Sequence, residues 1–111
     1  MATGVERRLT PRVPFVASAE VVELRSEARI HVQVSELSLY GCYLDMLNVL
    51  PAQTDVGVRI TEGPDVFEGI GKVVYAHENL GMGVRFTQVD AAGLKILEKW
   101  LAEAERKKRA E

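Results

Sequence analysis

The feature that most limits how this chain can fold is a strict alternation of apolar and polar residues, repeated in short segments. Ala28, Ile30, Val32 and Val34 alternate with Arg29, His31, Gln33 and Ser35. Val56, Val58 and Ile60 alternate with Gly57, Arg59 and Thr61, and Leu80, Met82, Val84 and Phe86 with Gly81, Gly83 and Arg85. A period of two sends successive side chains to opposite faces, so each segment reads as a strand with one buried face. Cys42, Leu44 and Met46 give a shorter version after Gly41. Ala17 to Leu24 reads as a further strand whose alternation blurs at Val21-Val22. Phe67 to His77 is strand-like and long, and its internal Gly69 and Gly71 point to a bulge or sharp curvature.

Short turns separate these segments. Arg25-Ser26-Glu27, Thr61 to Asp65 and His77-Glu78-Asn79 are each brief enough to close a hairpin. Strands at this spacing indicate an all-β antiparallel barrel or sandwich of six strands. The period changes after Asp90. Leu94, Leu97, Leu101 and Ala104 recur at helical spacing, widened by Ile96 and Trp100, and Asp90 is placed to accept from the free amides of the first turn. One amphipathic helix, about 15 residues long by its stripe, is expected to lie against the barrel. The basic run Arg106 to Arg109 complements the helix dipole. The expected organisation is a single domain over 1–111, with an arm (1–14), a barrel (15–88) and a helix (90–108).

Composition then removes several functions. Of 111 residues, 47% are hydrophobic and 27% charged, ordinary values for a globular domain. The net charge of -2 argues against a protein that holds DNA or RNA by general electrostatics. An RNA-binding barrel also wants exposed stacking aromatics, scarce at 6% of the chain. The single cysteine, Cys42, excludes an internal disulfide and a cysteine-based zinc site. No apolar run approaches the ~20 residues of a membrane helix. Met1 to Glu6 lacks the apolar core of a signal peptide, so a cytoplasmic domain without membrane insertion is expected.

No catalytic apparatus is visible. His31 and His77 read as surface residues without an acidic partner at metal-ligand spacing, and Cys42 as a small buried hydrophobe. No nucleophile elbow, zinc helix or phosphate-cradling loop is present. Gly81-Met82-Gly83 is embedded in a strand and does not open a helix. The expectation is no enzymatic activity, no catalytic residue, no metal and no cofactor.

Two other segments carry binding chemistry. Arg7, Arg8 and Arg12 precede the first strand on an arm whose Pro11 and Pro14 disfavour helix. Arginine offers a planar fork that grips phosphate or the O6/N7 edge of guanine with two bonds. Glu36-Leu37-Ser38-Leu39-Tyr40-Gly41 joins two strands. Glu36 brings an acceptor suited to guanine N–H donors, Ser38 a hydroxyl for the backbone or a ligand phosphate, and Gly41 a backbone free of side-chain restraint.

In this order, Arg8-x-x-x-Arg12, Glu36-x-Ser38-x-x-Gly41, the late strand Gly81 to Phe86 and a closing helix, the chain resembles a PilZ domain from Glu6 to Leu101. The resemblance implies a six-stranded antiparallel barrel with one C-terminal helix that binds the bacterial second messenger cyclic di-GMP. It implies that Arg8 and Arg12 grip guanine edges and phosphates, with the adjacent Arg7 as an extra contact. Ser38 and Gly41 would shape the floor of the site and the acidic position would read a guanine. The family has Asp or Asn where this chain has Glu36, one methylene longer. The expected function is a stand-alone cyclic di-GMP receptor that passes the signal by conformational change to an unidentified downstream protein. The alternative is a PilZ-like adaptor that binds a protein and no longer binds the nucleotide.

Overall fold

The computed structural model describes residues 12–110. Six strands, β1 (Val13–Glu23), β2 (Arg29–Leu37), β3 (Gly41–Asp45), β4 (Asp55–Glu62), β5 (Asp65–His77) and β6 (Gly81–Gln88), are followed by the helix α1 (Ala91–Ala110). All strand pairs are antiparallel, and they close into a barrel in the order β1-β2-β3-β6-β5-β4. Closure leaves no free sheet edge. The expected six-stranded barrel with one C-terminal helix is the observed fold.

The period-two residues build the interior. Ala17, Ala19 and Val21 of β1, Val34 of β2, Leu44 of β3, Val56, Val58 and Ile60 of β4, Phe67 and Val73 of β5, and Met82 and Val84 of β6 are all buried. The blurred pair Val21-Val22 resolves simply: Val21 faces inward, and Val22 lies on the outer wall in a shallow groove with Arg29 and Arg59. Leu80, expected to start the inward row of β6, instead sits in the β5–β6 turn and is 63% exposed. That turn takes a left-handed residue, Asn79 at φ 66°, a conformation asparagine tolerates better than most residues.

The helix is longer than its stripe suggested, at 20 residues, because it continues through the basic run. Asp90 caps it: its carboxylate accepts from the Gly93 amide at 2.7 Å. Leu97 and Trp100 face the barrel and are buried, whereas Leu94, which shares their spacing, is exposed. The Trp100 ring packs on Phe15 with centroids 5.1 Å apart. Lys99 pins the outer side, donating to Asp65 at 2.7 Å, and this bond raises its pKa. The Trp100 Nε1–H is buried without an acceptor.

Candidate functional site

Two β-bulges decide what the barrel wall displays. Val34 pairs with Leu44 and Glu36 with Tyr43, so β2 carries one extra residue at Ser35. Without that insertion Glu36 would follow Ile30, Val32 and Val34 to the inside; with it, Leu37 turns inward and Glu36 outward. The same thing happens on β5. Val73 pairs with Val84 and Tyr75 with Gly83, so Val74 is extra. Val73 is buried and Tyr75, two residues on, is 37% exposed on the wall.

Both bulges flank one row of residues. Glu36 of β2 pairs with Tyr43 of β3, Tyr43 with Gly83 of β6, and Gly83 with Tyr75 of β5. The row has aromatic rings lying directly on backbone. A Cβ built on Gly83 would meet ring carbons of Tyr75 at 2.7–2.8 Å, and one on Gly81 would meet ring carbons of Tyr43 at 2.6–2.8 Å. The glycines of Gly81-Met82-Gly83 therefore make room for two tyrosine rings, which cover Gly81 and Gly83 and leave both glycines buried on the outer wall. Tyr43, Tyr75 and His77 form a ring cluster with centroids 5.3–6.2 Å apart, and the Tyr43 hydroxyl is 3.1 Å from His77 Nδ1. Desolvation, then the nearby Tyr75, Asp45 and Glu36, hold the Tyr43 hydroxyl above its ordinary pKa.

Arg12 lies across this row. Its Nη1 donates to the Tyr75 hydroxyl at 2.8 Å and stands 3.6 Å from Glu36 Oε1. Side chains from the approach to β1, from β2 and from β5 thus meet at one point. Both members of the ion pair are about half exposed, so the pair is weak and available for exchange. Arg12, Tyr40, Val74, Tyr75, His77, Gly83 and Arg85 are among the residues lining an open groove of about 870 Å³.

The Ser38–Gly41 turn closes one end of the groove. Ser38 is buried, and its hydroxyl accepts from the amides of Tyr40 and Gly41, each at 3.2 Å, while the Ser38 amide donates to the Gly41 carbonyl at 2.9 Å. Ser38 is thus the lock of the turn. The reason for Gly41 differs from the one expected. Its φ is not in the left-handed region; a Cβ there would run into the Val84 carbonyl oxygen, so glycine lets β3 lie close against β6. Cys42 lines the groove only from beneath: it is buried, and burial pushes its thiol pKa up to about 12, so it is no nucleophile.

Of the residues singled out in the sequence, Arg12, Ser38 and Gly41 line one groove, and Glu36 is tied to it through its 3.6 Å pair with Arg12; Arg7 and Arg8 lie outside the described residues. His31 is on the wall beside Glu20, at 3.7 Å and highly exposed, away from the groove. The sequence reading missed Tyr43, Tyr75, His77 and Arg85. A low aromatic fraction concealed them: all three tyrosines of the chain, Tyr40, Tyr43 and Tyr75, are at or beside the groove. Among the described residues no cluster of three or more His, Cys, Asp or Glu side chains could hold a metal ion. No described helix is long and apolar enough to cross a membrane.

The described residues form a closed antiparallel barrel with one C-terminal helix and, on its outer wall, a groove lined by Arg12 and two tyrosines. The chain is a member of the PilZ family: the PilZ domain model matches residues 6–103. The fold is shared with the PilZ domain of YcgR from Escherichia coli, solved with c-di-GMP, at 16% identity and a TM-score of 0.76, covering 94% of this chain and 95% of that one. It is also shared with the inhibitor of motility MotI/DgrA of Bacillus subtilis, at 16% identity and a TM-score of 0.79, where 93% of this chain covers 53% of the other. A tetrameric PilZ domain from Xanthomonas campestris is more distant, with 19% identity, a TM-score of 0.55, and 79% and 54% covered. No curated protein sequence matches the chain.

Proposed function

We propose that this chain is a cyclic di-GMP receptor of the bacterial cytoplasm, without catalytic activity, that relays ligand binding to a protein partner. The observation that carries the reading is the convergence of Arg12, Tyr75 and the Ser38–Gly41 turn on one groove, with Glu36 paired to Arg12, from separate stretches of a PilZ chain. The E. coli PilZ domain of the same fold was solved with c-di-GMP, which supports the choice of ligand.

Each residue then has a task. In the free protein Arg12 is parked between Tyr75 and Glu36. A phosphate or a guanine edge offers it a charge-assisted or bidentate contact stronger than either. Arg12 released from Glu36 frees that carboxylate to accept from a guanine N1–H and 2-amino group. The exposed faces of Tyr40 and Tyr75 suit purine stacking. Arg8, carried over from the family motif, and the adjacent Arg7 would add further contacts to the ligand.

The relay follows the chain. Arg12 runs straight into the start of β1, where Phe15 packs on Trp100 of α1. Drawing Arg12 onto the ligand pulls on the strand end that seats the helix, so α1 is the element whose position reports binding. Trp100 is the only tryptophan, which makes its fluorescence a direct readout.

Calorimetry with cyclic di-GMP, beside GTP and the linear dinucleotide, tests the reading, with Trp100 fluorescence followed in parallel. Saturable, preferential binding of the cyclic dinucleotide is expected. No binding of any of the three would leave the chain as a protein-binding adaptor.

A further inference from the structure

We infer that Arg85 is a further cationic anchor of the groove, contacting a cyclic dinucleotide from the strand wall beside the arginines of the Arg8-x-x-x-Arg12 motif. The inference rests on the receptor reading above and extends it to a residue outside the Arg8-x-x-x-Arg12 and Glu36 to Gly41 motifs.

The placement is the first argument. Arg85 projects from the outer wall of β6 and lines the same groove as Arg12, Tyr40 and Tyr75. It stands two residues beyond Gly83, the floor of the tyrosine row, which is about 7 Å along a strand. Its cross-strand neighbour on β3 is Gly41, which has no side chain to cover it. The close approach that Gly41 permits between β3 and β6 is what brings the Arg85 backbone up against the Ser38–Gly41 turn.

The electrostatics are the second argument. Arg12, Arg29 and Arg59 each face a carboxylate, at 3.6, 3.1 and 3.3 Å. Lys72, the β5 neighbour of Arg85, is drawn 3.5 Å from Asp55. Among the described residues no carboxylate lies within ion-pairing distance of Arg85. A strand-borne guanidinium at the rim of a groove, with its fork uncommitted, is preorganised for an anion. Arg12, by contrast, must be drawn out of an existing pair.

The ligand's chemistry is the third. A cyclic dinucleotide has two phosphates and two guanines related by symmetry, and one guanidinium serves one half. Arg12 and Arg85 both line the groove, so a ligand lying in it can meet a guanidinium at more than one of its anionic groups.

The test is calorimetry of the full chain with cyclic di-GMP, comparing wild type with Arg85→Ala, Arg85→Lys, Arg12→Ala and Arg106→Ala. Arg106 lies on α1, does not line the groove, and controls for loss of one positive charge. Arg85→Ala should weaken binding at least ~10-fold, as for loss of a charge-assisted contact, with the melting temperature of the free protein unchanged. Arg85→Lys should fall between, since it keeps the charge and loses the fork. Arg106→Ala should bind as wild type. Wild-type binding by Arg85→Ala, or equal weakening by Arg85→Ala and Arg106→Ala, overturns the inference. If Arg12→Ala is weakened while Arg85→Ala is not, the receptor reading stands and Arg85 leaves the site. If wild type binds no cyclic di-GMP, the receptor reading falls and takes the inference with it.

Discussion

Within β2 and β5, neighbouring stretches of the same strand follow opposite rules. From Ile30 to Val34, and from Phe67 to Val73, alternate residues turn inward and the core is filled. One residue further on, at Ser35 and at Val74, an inserted residue reverses the alternation, and the side chains that would have been interior, Glu36 and Tyr75, stand on the wall. The regular stretches do the folding, and their residues are interchangeable with others of like size and apolarity. The bulged stretches form the groove, and there the identity of each residue matters. The barrel obtains a polar site without giving up a core position, because each bulge supplies the next apolar residue, Leu37 or Ala76, to the inside.

The sharpest way to break this division is at its stability end. Trp100 is 1% exposed and seated on Phe15, and it makes none of the exchangeable polar contacts of the row. Trp100→Ala should cost roughly 3–5 kcal/mol of unfolding free energy, the range for removing a buried large aromatic. Its indole N–H lacks an acceptor, so Trp100→Phe removes an unsatisfied donor and should cost much less. Chemical denaturation of the two variants measures both. Equal, small losses would mean that α1 contributes little to the core.

At the binding end the pattern should invert. Arg12 is half exposed and its partners are exchangeable, so Arg12→Ala should leave the melting temperature nearly unchanged. The same variant should lose at least ~2 kcal/mol of cyclic di-GMP affinity, as expected for a charge-assisted anchor. A variant that unfolds at lower temperature and binds normally would place Arg12 in the folding machinery and dissolve the distinction.

What could be read from the sequence divides along the same line. The alternation of Val56, Val58 and Ile60, or of Met82 and Val84, announces its inward face because water and core impose a period of two on any half-buried strand. Asp90 was legible as a cap because a helix start needs an acceptor there, and it has one bond at 2.7 Å to show for it. Arg12, Glu36, Ser38 and Gly41 were legible as a set through the family motif. Tyr43 and Tyr75 were not, since the row that joins them runs across four strands and depends on registers that no local pattern encodes, and Arg85 reaches the groove only through its place two residues along β6 from that row. Gly69 and Gly71 pointed to a bulge in β5 around them, but there the extra residue is Thr87 on the partner strand β6, and the β5 bulge is at Val74, which has no glycine to mark it. Leu94 and Leu80 misled because helical or strand spacing continues past the point where the partner surface ends.

Glu36 tests whether the row contributes more than a parking place for Arg12. If it reads a guanine, Glu36→Ala should bind cyclic di-GMP at least tenfold worse, about 1.4 kcal/mol. Glu36→Asp should bind as well as wild type or better, since a shorter carboxylate keeps the acceptors and loosens its hold on Arg12 at 3.6 Å. Glu36→Gln should be weakened, because it presents a donor amide to guanine donors. If calorimetry instead finds that alanine binds more tightly, Glu36 serves only to restrain Arg12, and guanine recognition passes to the arm.

The smallest effect compares two adjacent residues on opposite faces of β3. Tyr43 lies on the wall among polar neighbours; Cys42 is buried, with a thiol pKa near 12 against 9.0 for an unperturbed thiol. The unfolded chain ionises this thiol from about pH 9 upward while the native protein keeps it neutral, so its contribution is intact below pH 9 and is lost progressively as the pH rises toward 12. At pH 10, one unit above the unfolded value, the loss should be roughly 1 kcal/mol. Alkaline pH acts on other parts of the chain as well, so the quantity to measure is a double difference: denaturation midpoints at pH 8 and pH 10, for wild type and for Cys42→Ala. The alanine variant starts lower, because it leaves a small cavity, but it should lose less on going to pH 10. Equal losses would show that the thiol ionises in the native barrel, and hence that water reaches the inner face of β3 beneath the groove. The interior of the barrel and its wall would then not be the separate environments that the bulges divide.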